Sequence, residues 1–95
     1  MHVYNLVYVS IAKNTYIKKL RRDDKKVDIV CRKDGYYSVW CSEQIDDLEP
    51  DFVSKYKKEL RPYVYRISKS QVLATFPNAD LSLLDSNKYS KAELI

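Results

Sequence analysis

One glycine serves all 95 residues of this chain, and it follows an aspartate. Glycine is the residue that enters positive φ at little cost, so a chain with a single copy has one obvious place for a tight reversal. Val27-Asp28-Ile29-Val30-Cys31 lies before Asp34-Gly35, and Tyr36-Tyr37-Ser38-Val39-Trp40-Cys41 lies after it. β-branched and aromatic residues fill both runs, which favours strands. An Asp-Gly pair between two such runs predicts a β-hairpin with a two-residue type I′ turn. In that register Lys33 pairs with Tyr36, Ile29 faces Trp40 and Val30 faces Val39. One face then carries Val27, Ile29, Cys31, Ser38 and Trp40, and it is expected to point into the core with Trp40 buried.

The same register places Cys31 and Cys41 on opposite faces of the hairpin. A three-residue turn would bring them to one face but four positions out of register, beyond the short Cα separation a disulfide needs. Both are expected to be reduced thiols, as suits a reducing compartment. Two cysteines and one histidine fall short of the four closely spaced ligands of a structural zinc site, so no metal or cofactor is expected.

The rest of the chain supplies further strands and one helix. Residues 2–12 are β-prone and apolar on both alternating faces, which predicts a strand in the middle of a sheet. Residues 15–21 predict a short strand, followed by a charged turn to Lys26. Pro50 suits a first helical turn. Asp46, Asp47, Glu49 and Asp51 cluster near it, while Lys57, Lys58 and Arg61 follow, as a helix dipole prefers. Phe52, Val53, Tyr56 and Leu60 form an apolar stripe, and Pro62 ends the helix. Residues 63–68 and 71–76 predict two more strands, residues 80–85 a short helical turn, and residues 86–95 a polar tail. The fold class is therefore α+β: a small antiparallel β-sheet of about five or six strands with one main helix packed on it, the sheet flat or curled into a barrel. One domain over residues 1–85 is expected, in keeping with the chain length.

Charge is laid out in blocks. Residues 13–33 hold nine lysines and arginines against three aspartates, residues 34–54 hold six acids and no base, and residues 55–69 hold six bases against one acid. The net charge is only +4 with a pI near 9.0, too small for disorder by self-repulsion. No run reaches the ~18 apolar residues of a membrane span, and residues 1–12 lack the basic start and cleavage pattern of a signal peptide. A cytoplasmic location without membrane contact is expected. Frequent Lys, Tyr, Asp, Ser and Ile with scarce Gly and Ala suit an AT-rich genome, such as that of a phage, a virus or an AT-rich microbe.

Catalytic options are few. His2, the sole histidine, lies at the chain end, a poor place for a precise acid or base. One glycine cannot build a phosphate-cradling loop. No enzyme activity is expected. The chain reads as a binding module whose surface is rich in tyrosine and arginine: Arg32, Lys33, Tyr36, Tyr37, Arg61, Tyr63, Tyr65 and Arg66. Tyrosine and arginine are favoured at protein interfaces, so the first reading is a small regulatory module that binds another protein, in the manner of a viral modulator of a host factor. The second is a nucleic-acid-binding module or small ribonucleoprotein component, with rings stacking bases and cations holding phosphates.

Overall fold

The computed structural model describes residues 1–43, 45, 63–84 and 88–90. Its strands are β1 (Tyr4–Ala12), β2 (Thr15–Arg22), β3 (Val27–Cys31), β4 (Tyr37–Cys41), β5 (Tyr63–Ile67) and β6 (Lys88–Ser90). They form one antiparallel sheet in the order β1-β2-β3-β4-β5. The short β6 lies along the first half of β2, from Thr15 to Ile17. Helix α1 (Lys69–Thr75) and a 3-10 turn (Leu81–Leu84) pack on one face of the sheet, which makes the fold α+β. The sheet is open: β1 and β5 end the order, and it does not close into a barrel. No helix among the described residues is long and apolar enough to cross a membrane.

The core is built on one row of side chains across the sheet. Leu6 pairs with Leu20, Leu20 with Ile29, Ile29 with Val39, and Val39 with Tyr65. Leu20, Ile29, Val39 and Tyr65 are each 0 % exposed. Such fully buried side chains contribute roughly 1.5–3 kcal/mol apiece through removal from water. Val72 and Phe76 of the α1 segment, with Ala79, Leu81 and Leu84 after it, cover the row from above. Phe76 meets the Tyr4 ring edge-on at 6.1 Å, which ties the helix end to β1.

The hairpin forms where Asp34-Gly35 predicts it, with a different turn. Arg32 N–H donates to the Tyr36 carbonyl, and Gly35 N–H to the Arg32 carbonyl, with Gly35 at φ +86°. The loop is therefore three residues long, a type I turn closed by a left-handed glycine. The Asp34 carboxylate accepts the Tyr36 N–H and fixes the turn. Ile29 now opposes Val39, and Val30 opposes Ser38. A one-residue slip sends every side chain of a strand to its other face. Hence Tyr37, Val39 and Cys41 point inward, and Trp40, expected in the core, is 37 % exposed on the opposite face.

Three further expectations are corrected. Strand β1 is an edge strand, not the middle of the sheet, although it is apolar on both faces. Residues 69–75 form a helix where a strand over 71–76 was expected. Ser68 caps it by accepting the Gln71 N–H, and Val72 and Phe76 then fall one turn apart on the buried side. The possible barrel is replaced by the open sheet. The helix expected over residues 50–61 lies outside the described residues. The helical turn expected over 80–85 is present as Leu81–Leu84, with Leu81 and Leu84 buried.

Candidate protein-binding edge

The residues singled out by sequence divide between the two faces. Tyr37 and Tyr65, expected at a partner surface, are buried in the core because of the turn register, and the partly buried Tyr63 packs against that core. Tyr65 also accepts the Ile45 N–H at 3.4 Å through its hydroxyl. Arg61 lies outside the described residues. Lys33 is exposed in the turn. Only Arg32, Tyr36 and Arg66 converge on the outer face, gathered around Asp34. Arg66 stacks over the Tyr36 ring at 3.7 Å, and the Nε atoms of Arg66 and Arg32 donate to the Asp34 carboxylate at 3.2 and 3.1 Å.

Pairing of base with acid is general in this structure. Arg21 grips Asp28 with two hydrogen bonds of 2.9 and 3.0 Å, and Arg22 grips Asp24 with 2.9 and 2.7 Å. All four arginines among the described residues are thus engaged with carboxylates. Lys19 sits over the exposed Trp40 ring at 5.7 Å. These carboxylates offset the arginine charge that a phosphate backbone would use.

The Arg32 guanidinium, the Tyr36 N–H and Arg66 together hold the Asp34 carboxyl down at about 2, from an ordinary 3.8. A depressed carboxylate stabilises the fold above its unfolded value, and that contribution is lost as pH falls through the folded value. Stability should therefore decline between roughly pH 4 and pH 2. Acid titration of the denaturant midpoint should show a shallower decline for Asp34→Asn. Parallel curves for the two proteins would contradict this role.

His2, Asp23 and Asp24 form an exposed cluster with donor atoms within 4.8 Å of one another. Its carboxylates are already occupied: Asp23 accepts from His2 Nδ1 at 2.7 Å and from the Val3 N–H, while Asp24 holds Arg22. This arrangement fastens the start of β1 to the β2–β3 turn. Asn78 adds a hydrogen bond to the His2 carbonyl.

Cys31 and Cys41 are both reduced thiols on the inner face. Burial pushes the Cys41 thiol up to about 12, whereas Cys31 is partly exposed. Since the thiolate is the reactive form, a thiol reagent should titrate one group in the native protein, Cys31, and both only after unfolding. Native labelling of Cys41 at the same rate would contradict its burial.

The feature that sequence reasoning missed is the outer edge of β1. Asp23 N–H donates to the Val3 carbonyl, and the register runs on from Tyr4↔Arg22 to Ser10↔Tyr16. Antiparallel ladders alternate, so the main chain of Asn5, Val7 and Val9 bonds to β2 and that of Tyr4, Leu6, Tyr8 and Ser10 points the other way. Among the described residues no strand lies on that side. Natural edges are usually blunted by lysine, proline, shortness or a bulge. β1 spans nine residues with no charge and no proline, and its single irregularity falls between Ser10 and Ala12. Val3, Tyr8 and Ile11 along it are 57, 46 and 50 % exposed. The signal was present in the sequence as an uncharged β-prone stretch apolar on both faces.

Comparison with protein-family models, with curated proteins and with solved structures finds no match to this chain.

Proposed function

We propose that this chain is a small non-enzymatic protein-binding module that takes its partner as an added strand along β1. One observation carries the reading: a nine-residue edge without charge or proline, its main-chain groups directed outward and large apolar side chains exposed beside them. Strand addition uses those main-chain groups for affinity and the alternating side chains for selectivity. A module of this kind acts by occupying a partner's strand site, which suits a regulatory role on a host protein. The nucleic-acid reading loses support, because two of the tyrosines expected to stack bases are buried and the described arginines are held by carboxylates.

A photo-crosslinking residue placed at Val3 or Ile11 tests this in the cells that make the chain. A control at Leu73, exposed on α1, reports chance encounters. The β1 positions should give a protein adduct in clear excess over the Leu73 control. Equal yield at all three positions would overturn the edge as the binding site. Binding of generic single- or double-stranded nucleic acid that falls steeply with salt, with no protein adduct, would favour the other class.

A further inference from the structure

We propose that Asp34-Gly35 is a self-modifying site that the native fold holds shut. When the turn opens, Asp34 cyclises onto the Gly35 nitrogen and reopens as an isoaspartyl linkage that no longer fits the hairpin. This gives Arg32, Tyr36 and Arg66, which converge on Asp34, a role that strand addition at β1 does not use. Asp34 is the one aspartate of the chain that precedes a glycine. Attack by a main-chain nitrogen on the side chain before it is hindered by the attacking residue's Cβ, and glycine has none. The chemistry needs only water. The Gly35 nitrogen bonds to the Asp34 side-chain carboxyl carbon, and the amide proton leaves with the carboxyl hydroxyl as water. Water then opens the five-membered ring at either carbonyl. Opening at the side-chain carbonyl restores aspartate. Opening at the main-chain carbonyl leaves the chain running through the Asp34 side chain, one methylene longer, with the former main-chain carboxylate pendant.

Both reacting groups are tied down in the folded chain. The Asp34 carboxylate accepts from Arg32 Nε at 3.1 Å, from Arg66 Nε at 3.2 Å and from the Tyr36 N–H at 3.0 Å. Hydrogen bonds to an ionised group are the stronger kind. The Gly35 N–H donates to the Arg32 carbonyl at 3.3 Å, and ring closure must turn it out of that bond. The hydroxyl that leaves exists only on the neutral acid. With the carboxyl held at about 2 instead of 3.8, that form is rarer in the folded chain at neutral pH. Arg66 is the remote member of the clamp, 32 residues from Asp34 on β5 and stacked on Tyr36 at 3.7 Å. The clamp is therefore complete only while β5 is paired with β4.

An isoaspartyl residue lengthens the loop that Arg32 and Tyr36 close. It also removes the side-chain carboxylate that accepted the Tyr36 N–H. Register follows loop length, and the inward set Tyr37, Val39 and Cys41 depends on the native one. Once isomerised, the chain does not regain the native hairpin, so opening of the turn has a one-way outcome.

Peptide mapping of chains incubated at neutral pH, folded or in urea, tests this, because isoaspartate keeps the mass but changes the elution and the fragment ions. Isomerisation at Asp34 in urea should exceed that in the folded chain by about tenfold or more, since the reaction follows the population of the open turn. In urea, Gly35→Ala should react several-fold more slowly than wild type. In the folded state, Arg66→Gln should isomerise several-fold faster than wild type. Arg21→Gln, which releases Asp28 instead, should match wild type. Circular dichroism shows whether each variant is folded, and Arg32→Gln, which leaves β5 intact, repeats the comparison if Arg66→Gln is not. After transfer to native buffer, the fraction that stays unfolded should equal the isoaspartyl fraction. No excess of isoaspartate in urea would overturn the closed site, as would folded clamp variants that react no faster than wild type. Isomerised chains that refold with the native spectrum would overturn the one-way outcome.

Discussion

Tyr65→Ala is expected to destabilise the fold by ~3–5 kcal/mol, the range for truncating a large buried aromatic. Tyr65 is fully buried, ends the row Leu6, Leu20, Ile29, Val39, Tyr65, and accepts the Ile45 N–H. Truncation leaves a cavity at the end of that row and a donor without its acceptor. For a domain of this size the melting temperature should fall by roughly 15–30 °C. Tyr65→Phe keeps the ring and should cost only about 1 kcal/mol, the worth of a typical hydrogen bond. Trp40→Ala is the informative contrast. A larger ring is removed, but it is 37 % exposed and its named partner is Lys19, so the expected cost is about 1 kcal/mol. Thermal unfolding of the two variants side by side decides the matter. A larger loss for Trp40→Ala than for Tyr65→Ala would restore the two-residue turn and invert the face of β4.

Phe76→Ala is expected to cost ~3–5 kcal/mol as well. Phe76 is 3 % exposed, follows α1 at its C-cap, and packs on Tyr4 at the start of β1. Its loss removes the contact that joins the helix layer to the edge strand. Leu73→Ala, three positions earlier but 41 % exposed, should change stability by about 0.5 kcal/mol or less. Ala74→Lys should be equally mild, because the helix turns Ala74 outward. A strand over residues 71–76 would instead bury Ala74 beside Val72 and Phe76, and the lysine would then be severely destabilising. Chemical denaturation of the three variants distinguishes helix from strand.

Strands β1 to β5 were legible in the sequence as β-branched and aromatic runs, whereas β6 falls in the stretch expected to be a polar tail. The inward face of β3, with Val27 and Ile29, also follows from alternation alone. The face of β4 did not follow, because Asp-Gly serves both a two-residue type I′ turn and the left-handed end of a three-residue turn. That one-residue difference moved Trp40 outward and Tyr37 inward. The core position of Tyr65 then followed from its pairing with Val39. The helix at 69–75 had a local signal in Ser68-Lys69-Ser70-Gln71, a capping-box spacing. A short apolar run fits strand and helix periods about equally, and the cap was the deciding feature. The candidate edge was misread for a physical reason: apolar residues on both faces usually mean cover on both sides. In β1 they belong to a strand with no neighbour on one side among the described residues.

Residue-resolved amide exchange along β1 tests most directly whether that edge receives a strand. In the free chain, the amides of Asn5, Val7 and Val9, bonded to β2, should exchange slowly, and those of Leu6 and Ser10 quickly. On addition of a captured partner, Leu6 and Ser10 should become slow as well. Alternation that persists unchanged in the complex, with new protection appearing around Arg32, Tyr36 and Arg66 instead, would contradict the β1 edge as the binding site.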